Sequence, residues 1–130
     1  EFTYSLRPHA GSFKQAGTIK LAYDLNNPMT AVKLGKQEGT LPESYSLVSV
    51  SDENVVVDTV KKAEDSDSTI VRMYESWNKR TNALKLSFGF DVKSAVLCDL
   101  MENEIEKLEV TDNTVTLPVK PFEIVTIKLN

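Results

Sequence analysis

Residues 60–77 read Val-Lys-Lys-Ala-Glu-Asp-Ser-Asp-Ser-Thr-Ile-Val-Arg-Met-Tyr-Glu-Ser-Trp, two strand-like runs that meet at an acidic turn. The second run carries Arg72 and Glu75 among apolar neighbours. A side-chain period of two puts Ile70, Arg72 and Tyr74 on one face and Val71, Met73 and Glu75 on the other. Neither face is purely polar, so this strand is expected to be covered on both sides. A sheet in a two-layer domain normally keeps one face wet, and a strand of this kind calls for a partner outside its own sandwich.

Working outward, short apolar runs and polar turns alternate from residue 45 to the end at the spacing of an all-β domain. The turns are Ser51-Asp52-Glu53-Asn54, Asp65-Ser66-Asp67-Ser68, Asn78-Lys79-Arg80-Thr81 and Asp112-Asn113. They predict eight strands near 45–50, 55–62, 69–76, 83–90, 93–99, 106–111, 114–119 and 122–129, enough for an antiparallel β-sandwich. Leu84, Leu86, Phe88 and Phe90 oppose Lys85, Ser87 and Gly89, and Val115, Leu117 and Val119 oppose Thr114, Thr116 and Pro118, so these two strands have one wet face. Asp112-Asn113 suits a two-residue hairpin, because both residues tolerate positive φ, and 106–111 should pair with 114–119. Pro118 removes a ladder donor and places its strand at an edge. Phe122 and Ile124 oppose Val125, Ile127 and Leu129, again with both faces covered. Residues 100–110 also permit a helix through Met101, Ile105 and Leu108; turn followed by strand is the preferred reading.

Residues 1–44 differ from the rest. The start, Glu1-Phe2-Thr3-Tyr4, is strand-like and lacks an initiator Met, which suggests excision from something longer. Ser12 and Gln15 have capping-box spacing, and Phe13, Ala16, Ile19, Ala22 and Leu25 recur at three-residue steps until Pro28, predicting one helix over 13–25. Gly17 weakens that helix by about 1 kcal/mol relative to alanine, as expected of a helix held by packing. Gly35, Gly39 and Pro42 mark a loop over 29–44. The domain organisation expected is therefore an N-terminal strand, helix and loop (1–44) packing on a β-sandwich (45–130), the whole being one domain of something longer.

With 130 residues, 41% hydrophobic and 26% charged, the composition is that of an ordinary globular domain. The net charge of −4 is concentrated in residues 45–130, which carry ten Lys/Arg against fifteen Asp/Glu. An acidic surface repels phosphate backbones and anionic lipids, so neither nucleic acid nor a membrane is an expected partner. No apolar run reaches the ~20 residues of a membrane helix and no secretion signal is recognisable. Cys98 is the one cysteine, which excludes an internal disulfide and suits a reducing, cytoplasmic compartment; between Leu97 and Leu100 it reads as a packed, inert thiol rather than a nucleophile.

Catalytic chemistry is hard to assemble from these residues. His9 is the single histidine and has no partner at metal-ligand spacing, so neither a zinc site nor a nucleophile-base triad follows from the sequence, and a surface or packed role is preferred. Glycoside hydrolysis needs two carboxyl groups about 5–5.5 or 6.5–9.5 Å apart, and nothing selects two of the many acids here. Most of those acids sit in turns and read as a solvated surface. Trp77, the one tryptophan, could stack on a sugar ring, although packing is the commoner use, and Arg72 reads as a structural ion-pair partner.

Four pieces of the chain fall into a recognisable order: Phe2-Thr3-Tyr4-Ser5-Leu6-Arg7-Pro8-His9-Ala10-Gly11; Ala22-Tyr23-Asp24-Leu25-Asn26-Asn27-Pro28; Val60-Lys61-Lys62-Ala63-Glu64-Asp65 with Val71-Arg72-Met73-Tyr74-Glu75; and Lys120-Pro121-Phe122-Glu123-Ile124. In this order and spacing they resemble the C-terminal β-domain of glycoside hydrolase family 38 α-mannosidases. The resemblance implies a retaining exo-α-mannosidase as parent, acting on mannose-containing carbohydrate, with zinc and an aspartate nucleophile in an N-terminal α/β-barrel. No catalytic or zinc-binding motif of that family lies in these residues, so no catalytic residue, metal ligand or cofactor is expected in this fragment. His9, Arg72 and Glu75 lie in the matching stretches and, with Trp77, are the candidate cleft or domain-interface residues. Around Ser76-Trp77-Asn78-Lys79-Arg80 the family tends toward a small glycine-bearing turn, from which this chain departs.

Three readings of function follow. The chain is a non-catalytic β-sandwich that supports the catalytic domain of an α-mannosidase and shapes its cleft, with the parent's other domains as partners; or an independent carbohydrate-binding module built on Trp77; or a protein-interaction domain unrelated to sugars.

Overall fold

The computed structural model describes residues 2–130. The chain divides into two units, one ending at Gly39 and the other spanning Thr40–Asn130. The first holds one helix, α1 (Thr18–Asn26). The second holds nine strands: β1 (Val48–Val50), β2 (Val55–Lys62), β3 (Thr69–Glu75), β4 (Thr81–Phe88), β5 (Ala95–Cys98), β6 (Glu104–Leu108), β7 (Val110–Thr111), β8 (Thr114–Val119) and β9 (Ile124–Leu129).

The helix of the first unit is shorter than its periodicity predicts, and Gly17 is the reason. The capping box at Ser12 does form: Gln15 N donates to Ser12 Oγ at 3.4 Å and Ser12 N to Gln15 Oε1 at 2.9 Å. Gly17 then takes φ +64, a left-handed conformation that ends the capped turn, and α1 starts afresh at Thr18. Asn27 N closes the helix on Tyr23 O at 2.8 Å. No strand forms over the described part of the predicted N-terminal strand, and Glu1 lies outside the described residues. Residues 2–4 have no regular structure and are exposed, since a strand exists only where a neighbour satisfies its ladder.

In the second unit, two antiparallel sheets have the orders β1-β4-β8-β7 and β2-β3-β9-β5-β6. They share one core: Leu84, Leu86, Phe88, Val115, Leu117 and Val119 from the first, with Val71, Met73, Ala95, Val125, Ile127 and Leu129 from the second. This is the predicted β-sandwich. The four-stranded sheet turns Lys85, Ser87, Thr114 and Thr116 outward, as their alternation requires. Just past β4, Gly89 donates its N to Leu47 O at 3.0 Å, and a Cβ there would collide with the carbonyl oxygen of Ser46 and meet the Tyr45 ring, so only glycine fits.

Nine strands replace the expected eight because 106–111 is two strands in different sheets. Leu108 pairs with Ala95 in the five-stranded sheet, and Val110 pairs with Val115 in the four-stranded one, with the chain crossing at Glu109. The hairpin prediction holds for β7 and β8 only: Asp112 and Asn113 both take positive φ, 49° and 54°. β8 lies between β4 and β7 and not at an edge as Pro118 suggested; the proline is accommodated because it sits beyond the reach of two-residue β7 and opposite a bulge, where Thr81 pairs with Val119 and Leu84 with Leu117. Its missing N–H therefore interrupts no ladder bond. The last strand begins at Ile124 rather than 122 because Lys120-Pro121-Phe122-Glu123 forms a turn, closed by Glu123 N to Lys120 O at 3.2 Å. Phe122, after a proline, holds φ +57, a position glycine normally takes.

Candidate functional site

Strand β3 lies between β2 and β9 in the second sheet, and its two charged residues serve opposite faces. Glu75 ends the strand on the core side with 1% exposure. The register explains why a carboxylate tolerates burial there, because three irregular segments converge on it. Asn54, itself buried in the turn before β2, donates Nδ2 to Glu75 Oε1 at 3.0 Å and to Thr81 Oγ1 at 3.2 Å. Trp77 N donates to Oε1 at 2.7 Å, and Phe122 N to Oε2 at 2.9 Å. Burial pushes the Glu75 pKa up, but the donors from Phe122, Asn54, Trp77 and the Lys79 backbone together outweigh it, and the carboxyl stays below its ordinary range. The strand backbone is tied in as well: Glu75 N donates to Glu123 O at 3.0 Å and Ser76 N to Asn54 O at 2.8 Å. Such a carboxylate is an anchor for three turns. With its oxygens consumed by the Asn54 amide and by backbone donors it is not poised to exchange protons with a substrate.

Arg72 crosses the outer face. Its Nε donates to Thr126 Oγ1 on β9 at 3.1 Å and its Nη2 to Leu100 O at 3.1 Å. Residues 99–103 form a loop organised by Asp99, whose carboxylate accepts from Met101 N at 2.8 Å, Asn103 N at 3.0 Å and Asn103 Nδ2 at 2.9 Å. Asn103's side chain and backbone amide, with Met101's amide, hold the Asp99 carboxyl below its usual range despite some desolvation. Glu102, at φ +67, carries its side chain back to Lys61 on β2 at 2.8 Å and accepts Glu64 N at 2.9 Å; Lys61 also meets Glu64. Hydrogen bonding with Lys61, then with Glu64 N, lowers the Glu102 pKa, and the same pairing, with Glu64, raises that of Lys61. A loop and long charged stems thus lie over the outer face, where Ile70, Thr126 and Cys98 are buried. Burial pushes the Cys98 thiol up, with Lys128 offsetting part of the effect, as befits a packed thiol.

Arg72 and Glu75 are therefore separated by the sheet, while Glu75 and Trp77 belong to one cluster. Trp77 is half-buried at the turn that Glu75 pins, and Asn78 in that turn takes φ 56, the left-handed role a glycine would otherwise fill. His9 is exposed and lies in the first unit. Sequence reasoning missed Asn54, Lys61, Glu102 and the Leu100-Met101 pair. Asn54 sits in a polar turn like any other, and Lys61 and Glu102 are 41 residues apart, so no local pattern links them. Among the described residues, no group of three or more His, Cys, Asp or Glu side chains gathers as a metal site requires, and no helix is long and apolar enough to cross a membrane.

Comparison with known proteins matches residues 54–127 to the family described as the glycosyl hydrolases family 38 C-terminal beta sandwich domain. Three curated relatives align over nearly the whole chain. Alpha-mannosidase 2C1 of Homo sapiens is 39% identical over 99% of the chain, and its Mus musculus counterpart 37% over 95%. Alpha-mannosidase G of Dictyostelium discoideum is 34% identical over 98%. The chain spans 12–13% of the length of these relatives.

Proposed function

Since the chain belongs to the C-terminal β-sandwich domains of glycosyl hydrolase family 38, we propose that it is the non-catalytic sandwich of a longer, retaining α-mannosidase. In that enzyme it supports the catalytic domain and contributes to the wall of the cleft that receives terminal α-linked mannose. The observation that carries this reading is the state of Glu75. The one deeply buried carboxylate of β3 is spent on Asn54 and the backbones of Trp77 and Phe122, fixing turns rather than facing a substrate. The zinc ion and nucleophile of the reaction belong to the parent's catalytic domain; the lone histidine and the buried Cys98 offer no zinc site here. A reducing, cytoplasmic setting suits that single thiol.

The test is direct. The purified 130-residue chain, shown to be folded by circular dichroism, is expected not to hydrolyse an aryl α-mannoside with or without added zinc, whereas the longer polypeptide that contains it does. Zinc-dependent turnover by the short chain would overturn the assignment. Calorimetric titration with mannose and manno-oligosaccharides is expected to give no heat with the short chain; binding that disappears in Trp77→Ala would instead make it a sugar-binding module.

A further inference from the structure

The loop clasped over the outer face displays apolar side chains to solvent. Leu100 is 56% exposed and Met101 80%, and with Ile105 of β6 (64%) and Ile124 of β9 (55%) they ring an open depression of about 460 Å3. Leu97, Cys98, Val125 and Thr126 also line it.

These side chains are not exposed for want of structure around them. Asp99 fixes the loop from within, Arg72 holds Leu100 through its carbonyl, and Glu102 is bound to Lys61 and to Glu64 N. The turn that leads into Ile124 is pinned too, through Phe122 N and Glu75, with Phe122 kept at a backbone conformation that costs a non-glycine residue energy. Two separate hydrogen-bonded devices thus hold an apolar ring open, at the places where local rules favour polar residues and glycine. The charged residues that line the depression are already engaged within the domain, Asp99 by the amides of Met101 and Asn103 and Glu123 by Lys120, whose N donates at 2.6 Å and whose Nζ lies at 3.9 Å, so the surface left for a partner is the apolar ring. The matched relatives are about eight times longer than this chain, so most of the parent polypeptide lies outside it.

We propose that the depression ringed by Leu100, Met101, Ile105 and Ile124 seats an apolar segment contributed by the portion of the parent α-mannosidase outside these 130 residues. The inference rests on the reading above, deepening it by naming the surface through which the sandwich meets its parent. The apolar side chains supply the buried area, and the fixed backbone of the loop sets its shape.

The experiment uses the full-length polypeptide with a photo-crosslinking residue at Met101 and, separately, at Thr116 on the outer face of the other sheet. Peptide mapping is expected to find Met101 joined to a segment of the same polypeptide outside the 130 residues, with that product absent for Thr116. Absence of such a product, or a crosslink to a second copy of the sandwich, overturns the proposal. As a second measurement, Met101→Asp in the full-length protein is expected to speed amide exchange over residues 99–105 by about tenfold or more; unchanged exchange overturns it. Hydrolysis of an aryl α-mannoside by the same preparation separates the two claims. An inactive full-length protein would sink the α-mannosidase reading, and an active one that yields no Met101 product would sink the docking surface alone.

Discussion

Glu75 and Arg72 stand three residues apart on one strand, yet they solve opposite problems. Glu75 faces the core, where a charge survives only if donors replace its water, and three turns supply them. Arg72 faces outward, where its guanidinium stays near water and its stem covers the sheet, so it needs only Thr126 and the Leu100 carbonyl. The difference is that the buried group determines whether the sandwich end is formed, while the outer group determines how a surface loop is held.

That contrast can be broken most forcefully at Glu75. Glu75→Ala leaves several buried donors without an acceptor and is expected to cost about 4 kcal/mol, against about 2 kcal/mol for Glu75→Gln, which keeps the shape and one acceptor oxygen. Urea unfolding of both variants measures this, and equal, small losses would show that the carboxylate is dispensable.

Acid acts on the same group. The folded-state pKa of Glu75 is depressed, so the stability it contributes is fully present above the ordinary glutamate value of about 4.3 and is lost as the pH falls below that, through the folded value. Glu102 has the same sign, and the loop clasp is expected to loosen over the same acid range. Unfolding midpoints at pH 7, 5 and 3 for the unsubstituted chain and Glu75→Gln would sharpen the point: the fall for the unsubstituted chain should be the steeper, and parallel curves would assign the acid sensitivity elsewhere.

The strain held by the core-side cluster is smaller. Replacing Phe122 by Gly and by Ala isolates it, because both remove the ring and only Gly is at ease at positive φ. The Gly variant is expected to be more stable than the Ala variant by about 1 kcal/mol in thermal unfolding. A tie would mean the turn relaxes.

Least costly is the outer face. Arg72→Met keeps the stem and gives up two hydrogen bonds, for about 1 kcal/mol, and its clearer mark is faster amide exchange at residues 99–103 with the core unaffected. Exchange that quickens throughout the sheet would erase the distinction between the two clusters.

Much of this molecule was legible in residue order. The alternation in 84–88 and 114–119, the Asp112-Asn113 hairpin and the turn spacing after residue 45 gave the sandwich, because strand period and turn chemistry are local properties. Four ordered motifs gave the family, later matched over residues 54–127. The sequence also placed Arg72 and Glu75 on opposite faces, since that follows from the pleat alone. It misjudged 106–111, where a single run serves two sheets, and 13–25, where one glycine divides the helix. Those outcomes depend on which strand lies alongside and on a backbone angle, and neither is written in a short window of residues. What only the tertiary structure decided is where the donors for Glu75 come from and what covers Ile70. Asn54 and Phe122, which both donate to Glu75, are 68 positions apart, and Lys61 meets Glu102 across 41. Contacts at such separations exist only once the sheets have assembled, so their energies belong to the fold rather than to any segment of the chain.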